Sequence, residues 1–148
     1  DGSRSGVEGR GEKVAALMGP GAEASAQAPA WWGSLPAPTV IKVTAELAAL
    51  AGVGDALPGA VRGSAGSGIL YQAVPSSSGP DELTALVVDA RRLAAAGGGF
   101  AVVLGAPAAM KRGVDVWGPV PALALMRQVK AVFDPDRRLA PGRFVGGI

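Results

Sequence analysis

The spacing of apolar residues predicts a regular α/β alternation over the middle of the chain. β-Branched and apolar runs predict strands at 39–43, 60–64, 69–74 and 100–104. Helical spacing predicts one helix that begins at 44 or 45 and ends at 51, and a second helix at 80–96. The resulting order is β-α-β-β-α-β, which is typical of the ferredoxin-like unit. The sequence therefore predicts an α+β fold in which an antiparallel sheet carries two helices on one face.

The second helix of this unit has the clearest pattern. It begins at Pro80, and Asp81 is expected to cap it because acidic residues favour a helix N-terminus. Its buried face is predicted to contain Leu83, Leu86, Val87, Ala90, Leu93 and Ala94. The earlier helix is expected to end at Gly52-x-Gly54.

The glycines between the two central strands, Gly63, Gly66 and Gly68, are interpreted as hairpin residues. A phosphate-binding loop would need a helix after the glycines, whereas a strand follows here. These glycines are expected to supply positive φ angles and a close approach of the backbone.

The first 37 residues are less regular. A short helix is predicted at Glu12–Met18, and Gly21–Ala30 is expected to be a loop or a marginal helix. Trp31 and Trp32 are expected to fill the core; the alternative is that they anchor an interface, where tryptophan is enriched.

The sequence of the C-terminal part predicts a helix followed by a tight turn. Pro121 suits the first helical turn, and Asp134-Pro135 should end the helix. Pro141-Gly142 predicts a type II turn. The apolar stripe of this helix is predicted to contain Ala122, Leu125, Met126, Val129, Val132 and Phe133. We expect one domain in three parts: 1–37, 38–106 and 107–148.

Composition excludes several kinds of function. The 148 residues contain no cysteine and no histidine, which removes disulfides, thiol chemistry, imidazole or thiolate metal sites and histidine-dependent nucleophiles. A net charge of +2 and few aromatic residues do not indicate nucleic-acid binding. No apolar run reaches the roughly 20 residues that span a bilayer. The chain begins with Asp1 rather than Met, so we expect a fragment of a longer protein.

The C-terminal residues resemble a known family. Its signature is carried here by Arg127-x-x-Lys130-x-x-Phe133-Asp134-Pro135 followed by Pro141-Gly142-Arg143-Phe144. This pattern resembles the C-terminus of FAD-linked oxidases of the vanillyl-alcohol oxidase type. Trp117-Gly118 makes it most similar to the FAD-binding subunit of bacterial glycolate oxidases, and Val7-Glu8-Gly9 resembles the end of a strand that opens their cap domain. Ala140 stands where the family usually has Asn.

The resemblance implies a cap that roofs a flavin. FAD would be bound mainly by an N-terminal domain that is absent from this chain, so the fragment alone is expected to be inactive. The implied partners are that FAD domain and the catalytic and iron–sulfur subunits of a glycolate oxidase. The implied location is cytoplasmic, with peripheral contact to the inner membrane through partners. The absence of histidine argues against a main oxidation site here.

The resemblance also suggests candidate site residues. The cofactor-binding candidates are Arg127, Lys130, Pro141, Gly142 and Arg143; for the cations, the alternative is a solvated basic face. In the family, the open face of the sheet lies over the substrate. Lys42 and Arg62 are candidates there for a carboxylate substrate, and the alternative is again an exposed sheet face.

Two other functions stay open at this point. The chain is also compatible with the cap of another FAD-linked oxidase, such as a D-lactate or alditol oxidase, although the lack of histidine weakens this interpretation. A different class is a non-enzymatic ferredoxin-like module that binds a ligand or dimerises through its sheet. A glycine-rich FAD-binding domain encoded upstream of Asp1 would distinguish the oxidases from the module.

Overall fold

A computed structural model describes residues 2–22, 25 and 27–148. The chain forms two compact units, residues 1–34 and 35–148. The three-part division expected from the sequence stays a prediction.

The first unit contains helix α1, Arg4–Met18, which begins well before the predicted Glu12. Ser3 caps it, since its Oγ accepts a hydrogen bond from the Gly6 N–H at 3.2 Å. The proposed strand end at Val7-Glu8-Gly9 is therefore wrong, because these residues lie inside the helix. Part of the expected loop at 21–30 lies outside the described residues.

The two neighbouring tryptophans do not fill a core. Trp31 is 53% exposed and Trp32 is 70% exposed, with their ring centroids 6.1 Å apart. The prediction that they plug the interior is wrong. No apolar layer formed by the described residues encloses them, so sequence pattern alone overestimated their burial.

The second unit is built on one four-stranded antiparallel sheet. The strands are β1 Val40–Thr44, β2 Val61–Ser64, β3 Ile69–Ala73 and β4 Ala101–Gly105. Their order in the sheet is β2-β3-β1-β4. Strands β3 and β1 therefore lie in the centre of the sheet, and β2 and β4 form its two edges. The predicted α+β class and the β-α-β-β-α-β order are confirmed.

The two faces of the sheet differ in chemistry because side chains alternate along each strand. On one face, Ile41 and Val43 are fully buried and join the core with residues of helices α2 (Leu50–Ala56) and α3 (Pro80–Ala96). Gln72 is on this face too, paired with Ile41, and its Nε2 donates to the Pro58 carbonyl at 3.0 Å. Lys42 points to the opposite face, as predicted.

Helix α2 begins later than predicted, and Gly52 and Gly54 lie inside it instead of ending it. The residues after β1 are first held by neighbouring loops: the Ala45 N–H donates to Gly68 O at 3.0 Å, and the Glu46 N–H donates to Gly97 O at 2.8 Å. Helical bonding starts only after these contacts.

Helix α3 has the predicted bounds. Its predicted face is buried or half-buried. Asp81 does not cap it; Gly79 occupies the N-cap position without a side-chain bond, and Asp81 lies in the first turn. The hairpin turn is also as expected, with Gly68 at φ +65° after a short 3₁₀ turn.

The chain then runs along the sheet edge into the C-terminal segment. Helix α4, Ala108–Lys111, is followed by an extended stretch in which the Val116 carbonyl accepts the Val103 N–H at 2.9 Å. Helix α5 spans Leu123–Phe133 and ends at Asp134 as predicted. It begins two residues after Pro121, which therefore lies in the preceding turn and not in the first helical turn.

Candidate functional site

Helix α5 and the residues after it fold back on each other through a buried carboxylate. Asp134 is only 5% exposed, and its two oxygens accept the N–H groups of Arg138 at 2.8 Å and Leu139 at 3.0 Å. Lys130, one helical turn earlier, pairs with Asp134 at 2.5 Å and donates to the Leu139 carbonyl at 2.7 Å. Asp134 therefore does more than end the helix: it fixes the turn that follows.

These contacts lower the pKa of Asp134 from its ordinary 3.8 to about 2. The largest cause is the hydrogen bond from the Lys130 side chain, followed by the one from the Leu139 N–H, since both favour the charged form. Removal of water from the carboxylate acts in the opposite direction and is outweighed. This role of Asp134 was not predicted from the sequence, although Lys130 and Asp134 have the i, i+4 spacing at which side chains on a helix pair.

The end of the chain returns to the same side of α5. The Arg127 guanidinium donates from Nη2 to Gly146 O at 3.2 Å, and Val145 is buried. Gly146 lies so close to the Leu123 side chain that a Cβ there would come within 2.5 Å of Leu123 Cδ1. Leu123, Arg127 and Lys130 follow helical spacing, so one face of α5 carries the whole tail.

Between α5 and the tail lies a cleft of about 590 Å³. Its lining includes four of the five residues predicted to bind a cofactor: Arg127, Lys130, Pro141 and Gly142. The fifth, Arg143, is exposed and does not line the cleft. The structure thus brings most of the predicted set together, while their role in binding stays a prediction.

The Pro141-Gly142 turn has the predicted form. The Arg143 N–H donates to Ala140 O at 3.1 Å, and Gly142 has φ +73°, as the third position of a type II turn requires. Ala140 itself has φ +44°. That left-handed conformation suits Asn far better than Ala.

The segment is attached to the ferredoxin-like core through Arg91 of α3. Its guanidinium donates to Asp115 O at 2.6 Å and pairs with the Asp115 carboxylate at 3.5 Å. Asp115 Oδ1 in turn accepts the N–H groups of Trp117 and Gly118 at 3.2 and 3.0 Å. Sequence reasoning singled out Trp117-Gly118 but not the two charged residues that hold it, because they are 24 residues apart in the chain.

The apolar stripe predicted for α5 is not covered. Its exposed fractions are 61% at Leu125, 49% at Val129, 75% at Val132 and 80% at Phe133. No residue of α5 is buried, and the sheet and α2–α4 make no extensive contact with it among the described residues. The predicted stripe therefore forms one face of α5, and most of it is exposed to solvent. The tail occupies the opposite face of α5, so the apolar face is left open.

Lys42 and Arg62 lie in one row across the open face of the sheet. Tyr71 is paired with Lys42 on one side and with Arg62 on the other. All three are partly exposed. The alternation therefore places the two predicted substrate residues on the expected face, and their function stays a prediction.

The described residues provide neither a metal centre nor a membrane span. Within residues 2–22, 25 and 27–148, no group of three or more acidic, cysteine or histidine residues is arranged to hold a metal ion. In that same part of the chain, no helix combines the length and apolarity needed to cross a membrane.

Comparison with known proteins finds a similarity in the C-terminal segment. Residues 117–144 match the family of FAD linked oxidases, C-terminal domain. No curated protein and no solved structure matches the chain. The matched range begins at Trp117 and ends at Phe144, whose rings contact each other with centroids 5.6 Å apart. This match supports a C-terminal domain of an FAD-linked oxidase.

Proposed function

We propose that this chain is the C-terminal cap of an FAD-linked oxidase that acts on a 2-hydroxy acid, most similar to the FAD-binding subunit of bacterial glycolate oxidases. One observation carries the proposal: the family match falls on residues 117–144, which include α5 and most of its tail, and α5 leaves most of its apolar face exposed. A surface of this kind is typical of a chain that packs against a further domain.

The proposed neighbour of α5 is the FAD-binding domain. Burying Leu125, Val129 and Val132 there would remove apolar surface from water, which drives association. The neighbouring tail carries Arg137, Arg138 and Arg143, all exposed. We therefore expect an apolar contact surface with an acidic rim on the FAD domain.

FAD fits the charge of this segment. Its diphosphate is anionic, and the cleft beside α5 is lined by Arg127, Lys130 and Arg137. Pro141 and Gly142 shape the same cleft, and Arg143 lies next to them outside it. When bound, FAD takes up the electrons that leave the substrate. The residues of this chain would position the cofactor domain and would not react themselves.

The open face of the sheet is the proposed roof of the substrate site. Lys42 and Arg62 would favour a carboxylate through charge-assisted hydrogen bonds. The chain has no histidine to accept a substrate proton. We therefore assign no catalytic residue to it and expect the fragment alone to be inactive. The catalytic and iron–sulfur subunits of the complex would be its partners, in the cytoplasm or at the inner membrane face.

The coding sequence upstream of Asp1 tests the proposal directly. A glycine-rich FAD-binding domain should precede it in the same reading frame, and the longer polypeptide should purify with bound flavin. An unrelated domain, or a longer polypeptide that binds no flavin, would contradict the proposal. A dimeric chain without affinity for any flavin domain would instead favour the non-enzymatic module.

The proposed role of Lys42 and Arg62 in substrate binding has a separate test. In the complete enzyme, replacing Lys42 and Arg62 by Ala should raise KM for the hydroxy acid, because the carboxylate loses its cationic partners. Unchanged substrate affinity and turnover would remove these two residues from the site while leaving the cap assignment in place.

A further inference from the structure

The C-terminal arm, residues 115–148, contributes nothing to the apolar core of the second unit. Among the residues that the structure describes, the core ends at Val114, and the half-buried apolar residues packed against it end at Met110. Helix α5, which lies in the arm, has no buried residue. Burial of apolar surface is the main force that holds elements together. The core therefore does not hold the arm to the sheet.

The polar contacts between the arm and the rest of the unit lie at one place. Arg91 of α3 donates from Nη2 to the Asp115 carbonyl at 2.6 Å, and its Nη1 pairs with the Asp115 carboxylate at 3.5 Å. The Val103 N–H of β4 donates to the Val116 carbonyl at 2.9 Å. Within the described part of the chain, every other hydrogen bond, ion pair and ring contact of the arm joins two of its own residues.

Arg91 belongs to the core side of this attachment. Its Nε donates to the Ala101 carbonyl of β4 at 3.4 Å, and its side chain is 22% exposed, against 64% for Asp115. Gly118 of the arm lies against the same guanidinium, since a Cβ there would come within 2.7 Å of Arg91 Nε. One side chain therefore makes two of the three polar contacts that attach the arm.

The arm is braced internally at both ends of α5. The rings of Trp117 and Phe144 are in contact, and the Arg127 guanidinium donates to the Gly146 carbonyl. Asp134 accepts two backbone N–H groups of the turn that follows the helix. None of these contacts involves the sheet or α3, so the arm keeps them when Arg91 is released.

From these contacts we infer that the C-terminal arm swings as one body about the chain directly after Val114, and that Arg91 is the latch that holds it in the orientation of this structure. Release of Arg91 leaves only the backbone hydrogen bond between Val103 and Val116, and parts of a protein with few buried apolar contacts open locally at low cost. The arm carries the exposed apolar face of α5, so the latch decides where that face points. A partner that prefers one orientation would shift this equilibrium. The motion belongs to this chain and does not depend on a flavin domain.

Native-state hydrogen exchange followed by NMR distinguishes a swing of the arm from unfolding. The Val103 N–H reports release, because its acceptor belongs to the arm. The Arg138 N–H, bound to Asp134, reports the interior of the arm, and the Val74 N–H reports the core. Arg91→Leu should make Val103 exchange about tenfold faster, through the loss of a charged hydrogen bond, and leave the other two amides unchanged.

Arg92→Leu is the matched control. Arg92 is the next residue of α3, its side chain is 68% exposed, and it pairs with Asp89 of the same helix. The substitution removes the same charge from α3 without touching the arm. Exchange at Val103 should therefore stay as it is in the parent chain.

A distance measurement between two spin labels follows the motion itself. The chain has no cysteine, so Val88→Cys on α3 and Gln128→Cys on α5 direct labels to two exposed positions. Pulsed EPR should give a narrow distance distribution for the parent chain. The distribution should widen towards a second distance in Arg91→Leu and stay narrow in Arg92→Leu.

Unchanged Val103 exchange, or an unchanged distance distribution, in Arg91→Leu would overturn the inference. Faster exchange at Arg138 would also overturn it, because the arm would then unfold and not swing. Equal acceleration at Val74 would show that Arg91 stabilises the whole unit and is no latch. Since every measurement uses this chain without a flavin domain, none of these results bears on the docking of α5.

Discussion

Trp117 and Phe144 pack edge to face, with ring centroids 5.6 Å apart and an interplanar angle of 64°. Trp117 is held to the core by Asp115, and Phe144 lies 27 positions later, just beyond the Pro141-Gly142 turn. The contact therefore joins the two ends of the segment that matches the oxidase family. It holds α5 and its tail together without burying the apolar face of the helix.

The ring contact should be measurable as a coupling energy. In a double-mutant cycle with Trp117→Leu and Phe144→Leu, we expect a coupling of about 0.5–1.5 kcal/mol in the free energy of unfolding. The measurement is chemical denaturation of the four proteins. As a control, Phe100→Leu, at a similarly exposed residue, should combine additively with Trp117→Leu. Additivity in both cycles would show that the rings do not stabilise the segment.

The carboxylate of Asp134 should titrate well below an ordinary aspartate. Its pKa is lowered to about 2 in the folded chain and is 3.8 without these contacts. Its contribution to stability is therefore present above about pH 4 and is lost as the pH falls towards 2. NMR titration of the Asp134 carboxyl carbon measures this directly.

Asp134→Asn is the control for this titration. It should loosen the tail at neutral pH and abolish the pH dependence, because the amide cannot ionise. A wild-type carboxyl that titrates near 3.8 would contradict the Lys130–Asp134 contact.

Gly118 should be more sensitive to substitution than another glycine with the same backbone conformation. Gly118 and Gly113 have φ +74° and +80°. A Cβ at Gly118 would come within 2.7 Å of Arg91 Nε, whereas a Cβ at Gly113 would meet nothing within 4 Å. Gly113→Ala should lower the free energy of unfolding only by the cost of placing an Ala in the left-handed conformation, roughly 1–2 kcal/mol.

Gly118→Ala should therefore destabilise the unit by more than Gly113→Ala in denaturant unfolding, because Arg91 must also move. Equal losses for the two variants would mean that Arg91 does not lie over Gly118 in solution.

A substitution at Ala140, unlike those at the two glycines, should stabilise the folded chain. Its φ of +44° is unfavourable for Ala, and Asn tolerates this region. Ala140→Asn should raise the unfolding free energy by about 0.5–1 kcal/mol. The same substitution at Ala95, an exposed residue inside α3, should lower it by roughly 0.5 kcal/mol through helix propensity. A loss of stability at both positions would contradict the left-handed conformation of Ala140.

Local periodicity predicted much of this fold because it reports directly on burial. The alternation around Lys42 and the spacing of Leu83, Val87 and Ala90 each identified a buried face correctly. Helix α2 was misplaced because long-range bonds from Ala45 and Glu46 delay its start, and no local pattern encodes such bonds. Periodicity identified the apolar stripe of α5 but could not show whether another surface covers it.

Local sequence spacing also predicted part of the candidate site. Motif spacing found Arg127, Lys130 and the Pro141-Gly142 turn, which line one cleft. The tie between Arg91 and Asp115 connects distant parts of the chain and leaves no local signal. From the sequence, Asp134 was predicted only to end the helix. Its further role depends on two backbone N–H groups that reach its carboxylate only when the tail is folded.

The central claim is that the open apolar face of α5 is where this chain meets a flavin-binding domain. The most direct measurement is the affinity of the 148-residue chain for the FAD-binding domain that the proposal expects upstream of it, by titration calorimetry. The account predicts saturable binding that Val132→Asp abolishes and that Val88→Asp, the same change at an exposed valine of α3, leaves intact. Absence of binding, or equal binding by both variants, would contradict it.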